Sequence, residues 1–241
     1  LFAIALDEAN WDLAGIALAG AIGDKQDVGG FSGFNAKLVE EALERKVVVR
    51  ERAIALRDLP VAHAVARSVT PYFRGLAGRP DAAEAFLRSA RVDPAASVRQ
   101  MDPAARRALT SALATRLVRQ EAAPEALDGL VADRYWIEPD QMYAGDLEAV
   151  VNGCDRLDQE GLGMAVLLGD REALGKAEAL RDEYDRLVLG HLVRLESDGL
   201  YAKKHVQFFY CEEPTLAGSV AGIGMPYFFD QAKATLGLSV M

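Results

Sequence analysis

The spacing of apolar residues changes at Asp198-Gly199, and this change constrains the fold more than any other feature of the sequence. From about residue 81 to residue 196 the apolar side chains recur every three or four positions, as they do on one face of a helix. After Gly199 the spacing becomes that of strands. The strand candidates are residues 205–210, 218–223 and 235–240. Together with mixed patterning at the start of the chain, this order predicts a helix-rich α/β fold.

Several helices have clear sequence signals. Asp102 is a favoured N-cap residue and Pro103 a favoured first helical residue, so a helix is predicted over 103–120. Near the start of the chain, Asn10 is expected to cap a helix that runs from about Trp11 to Ile22. Further predicted helices cover 36–45, 59–67, 81–90, 124–132 and 171–196, and a brief strand covers 47–49.

The helix predicted to begin at Trp11 is built largely of small residues. They are Ala14, Gly15, Ala17, Ala19, Gly20 and Ala21. Small residues let a neighbouring segment approach closely, as a helix packed on a sheet or near a ligand requires. The helix is expected to end at Gly23-Asp24, and the glycine-rich stretch 29–33 indicates a turn after it.

Charge is distributed unevenly along this chain of 241 residues, whose net charge of −9 argues against a protein that simply coats nucleic acid. Residues 46–120 carry 14 basic and 6 acidic side chains, and 13 of the basic ones are arginine. Residues 121–200 carry 7 basic and 19 acidic side chains. Arginine suits two-point contacts with phosphate or carboxylate, so the basic segment could face nucleic acid or an acidic partner. Solvated faces of alanine-rich helices explain the same arginines without any partner.

The two cysteines, Cys154 and Cys211, lie far apart and lack the close spacing of a metal-binding knuckle. Both are expected to be free and buried, which fits a reducing environment and predicts a cytoplasmic location. The longest apolar stretches are shorter than the roughly 20 residues needed to cross a bilayer, so no membrane partner is expected.

The three histidines, His63, His191 and His205, are isolated in the sequence, and none has the spacing of a metal ligand. The first two lie among apolar residues and are interpreted as structural side chains. His205 follows Lys203-Lys204 and could approach a phosphate, although the start of an exposed strand is the simpler interpretation.

Two neighbouring strings carry a family resemblance. The string ALAGAIGDKQ at 17–26, followed by GFSGFN at 30–35, resembles a stretch of archaeal RecJ-like proteins of the DHH phosphoesterase superfamily, including the GINS-associated nuclease. Weaker similarities to the same proteins are TPY at 70–72, VVNGC at 150–154 and GSVAGI at 218–223. The specificity of the match lies in the first two strings.

The resemblance implies a catalytic metal site at Asp24. In this superfamily an aspartate at the end of the small-residue helix binds a pair of Mn²⁺ or Mg²⁺ ions, which activate water for hydrolysis of a phosphodiester bond. Hard divalent cations prefer such oxygen ligands. Gln26, Asp27 and Asn35 are nearby candidates for supporting or substrate contacts, and ordinary turn polarity explains them equally well.

The resemblance also implies an architecture. Residues 1–78 would be the C-terminal part of a DHH catalytic domain, residues 79–200 an all-helical intervening module with a connecting long helix, and residues 201–241 the start of a β-containing DHHA1-like domain. The sequence contains neither the paired aspartates and Asp-His-His motif of the superfamily nor the Gly-Gly-His signature of its accessory domain. We therefore expect a fragment, truncated at both ends, that is inactive alone.

The predicted function of the intact protein is metal-dependent exonuclease activity on single-stranded DNA or RNA, in DNA replication or repair. Two alternatives remain open. The chain could be a non-catalytic replication scaffold whose helical module binds a GINS-type helicase component. It could also be part of a phosphodiesterase that acts on oligonucleotides or cyclic dinucleotides.

Overall fold

The computed structural model describes residues 2–239, which divide into two compact units. The first unit contains residues 2–53 and 133–182, and the second contains residues 54–132 and 183–239. Helices make up 56% of the structure and the strands form two small sheets, which confirms the predicted helix-rich α/β class.

In chain order, the elements begin with helix α1 (Phe2–Leu6), a 3₁₀ helix (Glu8–Leu13), α2 (Ala14–Gly23), α3 (Gly33–Glu44) and strand β1 (Val48–Ile54). They continue with α4 (Val61–Ala66), α5 (Pro80–Ser89), α6 (Pro103–Arg119), α7 (Pro124–Asp128), β2 (Val131–Ile137) and β3 (Met142–Tyr143). The remaining elements are α8 (Ala144–Arg156), α9 (Glu160–Leu167), α10 (Arg171–Asp198), β4 (Tyr201–Ala202), β5 (Val206–Cys211), α11 (Pro214–Tyr227) and β6 (Ala234–Ser239).

The first unit is built around the small-residue helix α2. Its buried side chains include Leu18 and Ala19, and the helix packs against α3 and α8 in one apolar core. At Gly15 there is no room for a side chain, because an added Cβ would lie 2.5 Å from Cγ2 of the buried Ile137 in β2. Gly15 therefore lets α2 lie close to the sheet β1-β2-β3, which is one of the two arrangements that the small residues indicated.

The second unit combines helices with the sheet β4-β5-β6. Strands β4 and β5 pair antiparallel, whereas β5 and β6 pair parallel, with Phe208 opposite Leu236. Parallel neighbours need a crossover connection, and α11 supplies it. The helix covers one face of this sheet so closely that an added Cβ at Gly237 would lie 2.8 Å from the Cβ of Ala217.

Elements with several independent signals were predicted correctly. The Asp102 carboxylate accepts hydrogen bonds from the backbone N–H groups of Ala104 and Ala105 at the start of α6, as expected of an N-cap residue. Helix α10 and strands β5 and β6 also lie close to their predicted ranges. Both cysteines are buried and free, as expected.

The strand predicted over residues 218–223 was wrong, because these residues lie inside α11. Pro214 is the first residue of that helix, a position that suits proline. Leu216 and Val220, one helical turn apart, are both buried. The period of a six-residue apolar run alone does not distinguish a strand from part of a buried helix, so the choice depends on what packs against it.

The prediction of an all-helical module over 79–200 was also wrong, since the range contains β2 and β3. The helix predicted over 124–132 ends at Asp128, and β2 begins three residues later. The aromatic residues Tyr135 and Trp136 favour a strand here, where they pack on a half-buried pleated surface.

Asn10 does not cap the small-residue helix. Its side-chain amide donates a hydrogen bond to the carbonyl of Ala3, and the carboxylate of Asp7 accepts one from the N–H of Ala9 at the start of the 3₁₀ helix. Helix α2 follows directly from that 3₁₀ helix. The backbone N–H groups at the start of α2 therefore lie within a continuous helical run and need no capping side chain.

The two units interleave along the chain, and the domain boundaries expected from the resemblance, after residues 78 and 200, stay a prediction. Within residues 2–239, no helix combines the length and the apolar character that a bilayer crossing requires.

Candidate functional site

Asp24, the predicted metal ligand, directly follows the last residue of α2. Its backbone N–H donates to the carbonyl of Gly20, which holds the residue in the last turn of the helix, while its side chain is exposed. The next residue, Lys25, has a positive φ of 56°, and the chain turns there. The carboxylate is therefore fixed at a helix end and accessible to solvent.

Two of the other predicted site residues form a row with Asp24. Nε2 of Gln26 lies 3.4 Å from Oδ2 of Asp24, and Oε1 of Gln26 accepts a hydrogen bond of 2.5 Å from Nδ2 of Asn35. Asn35 lies in the first turn of α3, so the row joins the end of α2 to the start of α3. We call these three side chains the Asp24 row. The structure thus brings together three of the four residues that the sequence singled out.

Asp27, the fourth of these residues, has a different position. Its carbonyl accepts a hydrogen bond from the N–H of Gly30, in a turn where Gly29 and Gly30 have positive φ. Burial raises the pKa of Tyr135, and the negative charges of Asp133 and Asp27 add to this rise. The backbone carbonyl of Asp27 therefore stabilises the turn, and its carboxylate contributes negative charge near Tyr135.

Glu148 is a carboxyl near the Asp24 row that the sequence did not reveal. It lies on α8, half-buried, and an added Cβ at Gly23 would lie 3.1 Å from its Cγ. Burial raises the pKa of the Glu148 carboxyl, and the positive charge of Arg181 opposes the rise. The close packing of α2 on α8 thus places a partly desolvated carboxyl beside the residue that precedes Asp24.

An ion-pair network helps to hold α8 in the first unit. The Asp146 carboxylate lies 3.1 Å from a guanidinium nitrogen of Arg134 and 3.1 Å from one of Arg181. All three side chains are at most 17% exposed. An added Cβ at Gly153 would lie 3.0 Å from the Cα of Arg181, so α8 and α10 approach closely at this point. The network therefore helps to position Glu148 and the helix on which α2 packs.

The Asp24 row offers a hard cation one exposed carboxylate, supported by a side-chain amide. Within residues 2–239, one group of three potential ligand side chains has all its donor atoms within 4.8 Å of one another. The group consists of His191, Cys211 and Glu213 and does not include Asp24. A pair of cations needs several bridging and terminal ligands, so Asp24 alone does not make a two-metal site.

The histidines differ from expectation in two respects. His63 is exposed on α4, so the interpretation as a structural side chain among apolar residues was wrong. His191 is isolated in sequence but not in space, since its Nε2 lies 2.5 Å from Oε2 of Glu213 and 3.8 Å from Sγ of Cys211. His205 is exposed immediately before β5, in agreement with the predicted exposed position at a strand start. In the sequence, Cys211 and Glu213 are two residues apart at the end of a strand, but nothing there connects them with His191.

On the face opposite α11, the sheet of the second unit carries three aromatic side chains, of which Tyr201 and Tyr210 are exposed and Phe208 is partly buried. The rings of Tyr201 and Phe208 are stacked with centroids 5.1 Å apart, and Tyr210 meets Tyr201 edge-on at 5.6 Å. Leu236 and Leu238 pair with Phe208 and Tyr210 across β5 and β6. Tyr201 is 58% exposed and Tyr210 is 53% exposed. We call these five residues the aromatic face, and a cleft of about 340 Å³ lies beside its two tyrosines.

Comparison with known proteins adds no assignment, because no family model and no curated protein matches the chain. The resemblance to the DHH superfamily therefore stays a prediction that rests on the strings at 17–26 and 30–35.

Proposed function

We propose that this chain is part of a metal-dependent phosphodiesterase that degrades single-stranded DNA or RNA from an end, in the manner of archaeal RecJ-like DHH proteins, and acts in DNA replication or repair. The observation that carries the proposal is the Asp24 row. Its three residues belong to the strings on which the family resemblance depends, and the carboxylate for which that resemblance implies metal binding is exposed at a fixed helix end.

In this proposal Asp24 supplies one oxygen ligand to a pair of Mn²⁺ or Mg²⁺ ions. When bound, the ions would lower the pKa of water and stabilise the attacking and leaving oxygens of the phosphodiester. The Gln26 amide donates to one carboxylate oxygen of Asp24, and Asn35 fixes the Gln26 side chain in turn. Such partners orient a ligand and are a recurring requirement of metal sites.

The aromatic face favours the part of the proposal that concerns a single-stranded substrate. Bases stack on exposed rings with little regard to sequence, and each stacked base contributes roughly 1–3 kcal/mol. Tyr201 and Tyr210 have the exposure that such stacking needs. Lys203 and Lys204, between β4 and β5, are exposed and offer positive charge to the phosphates.

The metal part of the proposal is tested by titrating residues 1–241 with Mn²⁺ and recording amide NMR signals, because this paramagnetic ion broadens the signals of nearby nuclei. We expect broadening centred on residues 23–26 in the wild type and its loss in Asp24→Asn. Asp155→Asn, which changes an exposed aspartate of α8, is the matched control and should keep the broadening. Broadening that persists in Asp24→Asn would contradict the metal role.

The nucleic-acid part is tested in the same preparation with a fluorescently labelled single strand and anisotropy. Phe208→Ala should weaken binding by about 1–3 kcal/mol, and added salt should weaken it further. Met164→Ala removes an exposed apolar side chain of α9, outside the aromatic face and the Asp24 row, and should have no effect. Equal binding by the wild type and Phe208→Ala would remove the aromatic face from the proposal. Without the remaining metal ligands, residues 1–241 should show no Mn²⁺-dependent cleavage of the strand.

A further inference from the structure

Three side chains of the second unit converge from three elements. His191 comes from α10 and is 6% exposed, Cys211 ends β5 and is fully buried, and Glu213 precedes α11 with 46% of its side chain exposed. Their donor atoms are an imidazole nitrogen, a sulfur and a carboxylate oxygen, all within 4.8 Å of one another. The cluster is accessible to solvent through Glu213 and enclosed on the other side.

The distances suit a small tetrahedral cation. With bonds of about 2.3 Å to sulfur and about 2.0–2.2 Å to nitrogen or oxygen, two ligands of a tetrahedral Zn²⁺ lie roughly 3.3–3.6 Å apart. Sγ of Cys211 and Nε2 of His191 are 3.8 Å apart, close to this separation. Nε2 of His191 and Oε2 of Glu213 are 2.5 Å apart and would have to separate by about 1 Å to reach this range. The exposed Glu213 side chain can do so by rotation, without moving either buried ligand.

A thiol nucleophile with a histidine base explains the same cluster less well. In that arrangement one ring nitrogen faces the nucleophile and the other faces the acid. Here both ring nitrogens of His191 lie at similar distances from Sγ of Cys211, 3.8 Å for Nε2 and 4.0 Å for Nδ1, and Nε2 is already bonded to Glu213. The Cys211 sulfur is fully buried and its thiol donates to the carbonyl of Glu213 at 3.1 Å, so a substrate has no direct path to it. A nucleophilic cysteine is instead partly exposed.

We propose that His191, Cys211 and Glu213 form a site for Zn²⁺, with a fourth position on the exposed side open to water. The donor set selects the metal, because thiolate and imidazole suit Zn²⁺, whereas Mg²⁺ and Mn²⁺ prefer oxygen ligands. The site is therefore distinct in chemistry from the one proposed at Asp24. Bound Zn²⁺ joins α10, β5 and the start of α11 and so stabilises the second unit.

The charges around the cluster are compatible with a cation. Arg194 lies one turn after His191 on α10, and its guanidinium is paired with the carboxylate of Glu212 at 3.3 Å. Glu213 adds a second carboxylate, so acidic groups outnumber the one arginine beside the cluster.

The test starts from residues 1–241 freed of metal with a chelator and then loaded with Zn²⁺. We expect one tightly bound Zn²⁺ per chain by elemental analysis after removal of excess ion. Loading with Co²⁺ instead should give the absorption band of a cobalt–thiolate bond. A chain that retains no Zn²⁺, or that shows no thiolate band with Co²⁺, would overturn the proposal.

Variants decide whether the three residues are the ligands. Cys211→Ser should abolish the cobalt–thiolate band and weaken Zn²⁺ binding about 100-fold or more, since loss of even an outer partner of a ligand costs about 10–100-fold. Cys154→Ser removes the other buried thiol, which lies in the first unit, and should leave binding unchanged. Equal loss of affinity in both variants would overturn the assignment.

Glu213→Gln covers the case in which Cys211→Ser fails to fold, because Glu213 is partly exposed and its replacement should be tolerated. It should weaken Zn²⁺ binding by about tenfold or more. Saturating Zn²⁺ should raise the Tm of the wild type, and this shift should shrink in Glu213→Gln. Unchanged affinity in Glu213→Gln would exclude it as a ligand. Asp24→Asn should keep full Zn²⁺ binding, which separates this site from the proposed function.

Discussion

The pKa of the Glu148 carboxyl group depends on how closely the surrounding helices pack. Glu148 lies half-buried on α8, next to the point where α2 ends at Gly23. Burial raises its pKa, and Arg181 counters only part of that effect. A carboxyl in such a place is less stable when charged than it would be in water, so its ionisation opposes folding.

This pKa shift predicts a pH-dependent effect of Glu148→Gln. Because the raised pKa makes the folded protein bind more protons than the unfolded one, the Glu148 contribution to the free energy of unfolding falls as pH rises above the usual value of 4.5. The glutamine variant should therefore be more stable than the wild type at about pH 7, with the difference vanishing at about pH 4. Urea unfolding at both pH values measures it. Glu40→Gln, at an exposed site on α3, is the control and should show no comparable change between the two pH values.

At the scale of an element, α2 contains one glycine with no room for a side chain and another with open space beside it. An added Cβ at Gly15 would meet three atoms of Ile137, which is fully buried and cannot move aside without disturbing the core. An added Cβ at Gly20 would meet nothing within 4 Å, and Gly20 is exposed. The same substitution in one helix should therefore have opposite effects.

Gly15→Ala should destabilise the protein by about 1–3 kcal/mol through overpacking. Gly20→Ala should stabilise it by about 0.5–1 kcal/mol, because alanine loses less conformational entropy in a helix. Equilibrium unfolding in urea gives both values. If both variants were destabilised to the same extent, the close approach of α2 to Ile137 would be contradicted.

How far the sequence could predict this fold depends on whether the signal for an element lies within its own segment or in what packs against it. Helix α6 carries its own N-cap at Asp102, so the information lies within the segment. Residues 218–223 carry no such information, and the packing of α11 on the sheet decides their conformation. The Asp24 row was predictable because it joins residues close in sequence. The cluster of His191, Cys211 and Glu213 was not, because it exists only once α10 and β5 have packed together.

At the scale of the whole molecule, both units are assembled from segments that are far apart in the chain. The first unit joins residues 2–53 with residues 133–182. Within it, Asp146 connects Arg134 in β2 with Arg181 in α10, and each of these side chains is at most 17% exposed. A buried ion pair adds little net stability relative to apolar residues, but removing one partner is costly, because charge then stays buried without its counterion.

Asp146→Ala should therefore destabilise the protein by about 3–5 kcal/mol, since two guanidinium groups lose the carboxylate that they share. Glu172→Ala is the matched control, because it breaks the ion pair between Glu172 and Lys176 in the same unit. The Lys176 side chain is 64% exposed and that of Glu172 is 81% exposed. Such an exposed pair contributes only about 0–1 kcal/mol. Hydrogen exchange followed by mass spectrometry locates the effect: in Asp146→Ala, protection should fall in both 2–53 and 133–182, and less in 54–132. Loss of protection confined to residues near 146 would mean that the two segments do not form one cooperative unit.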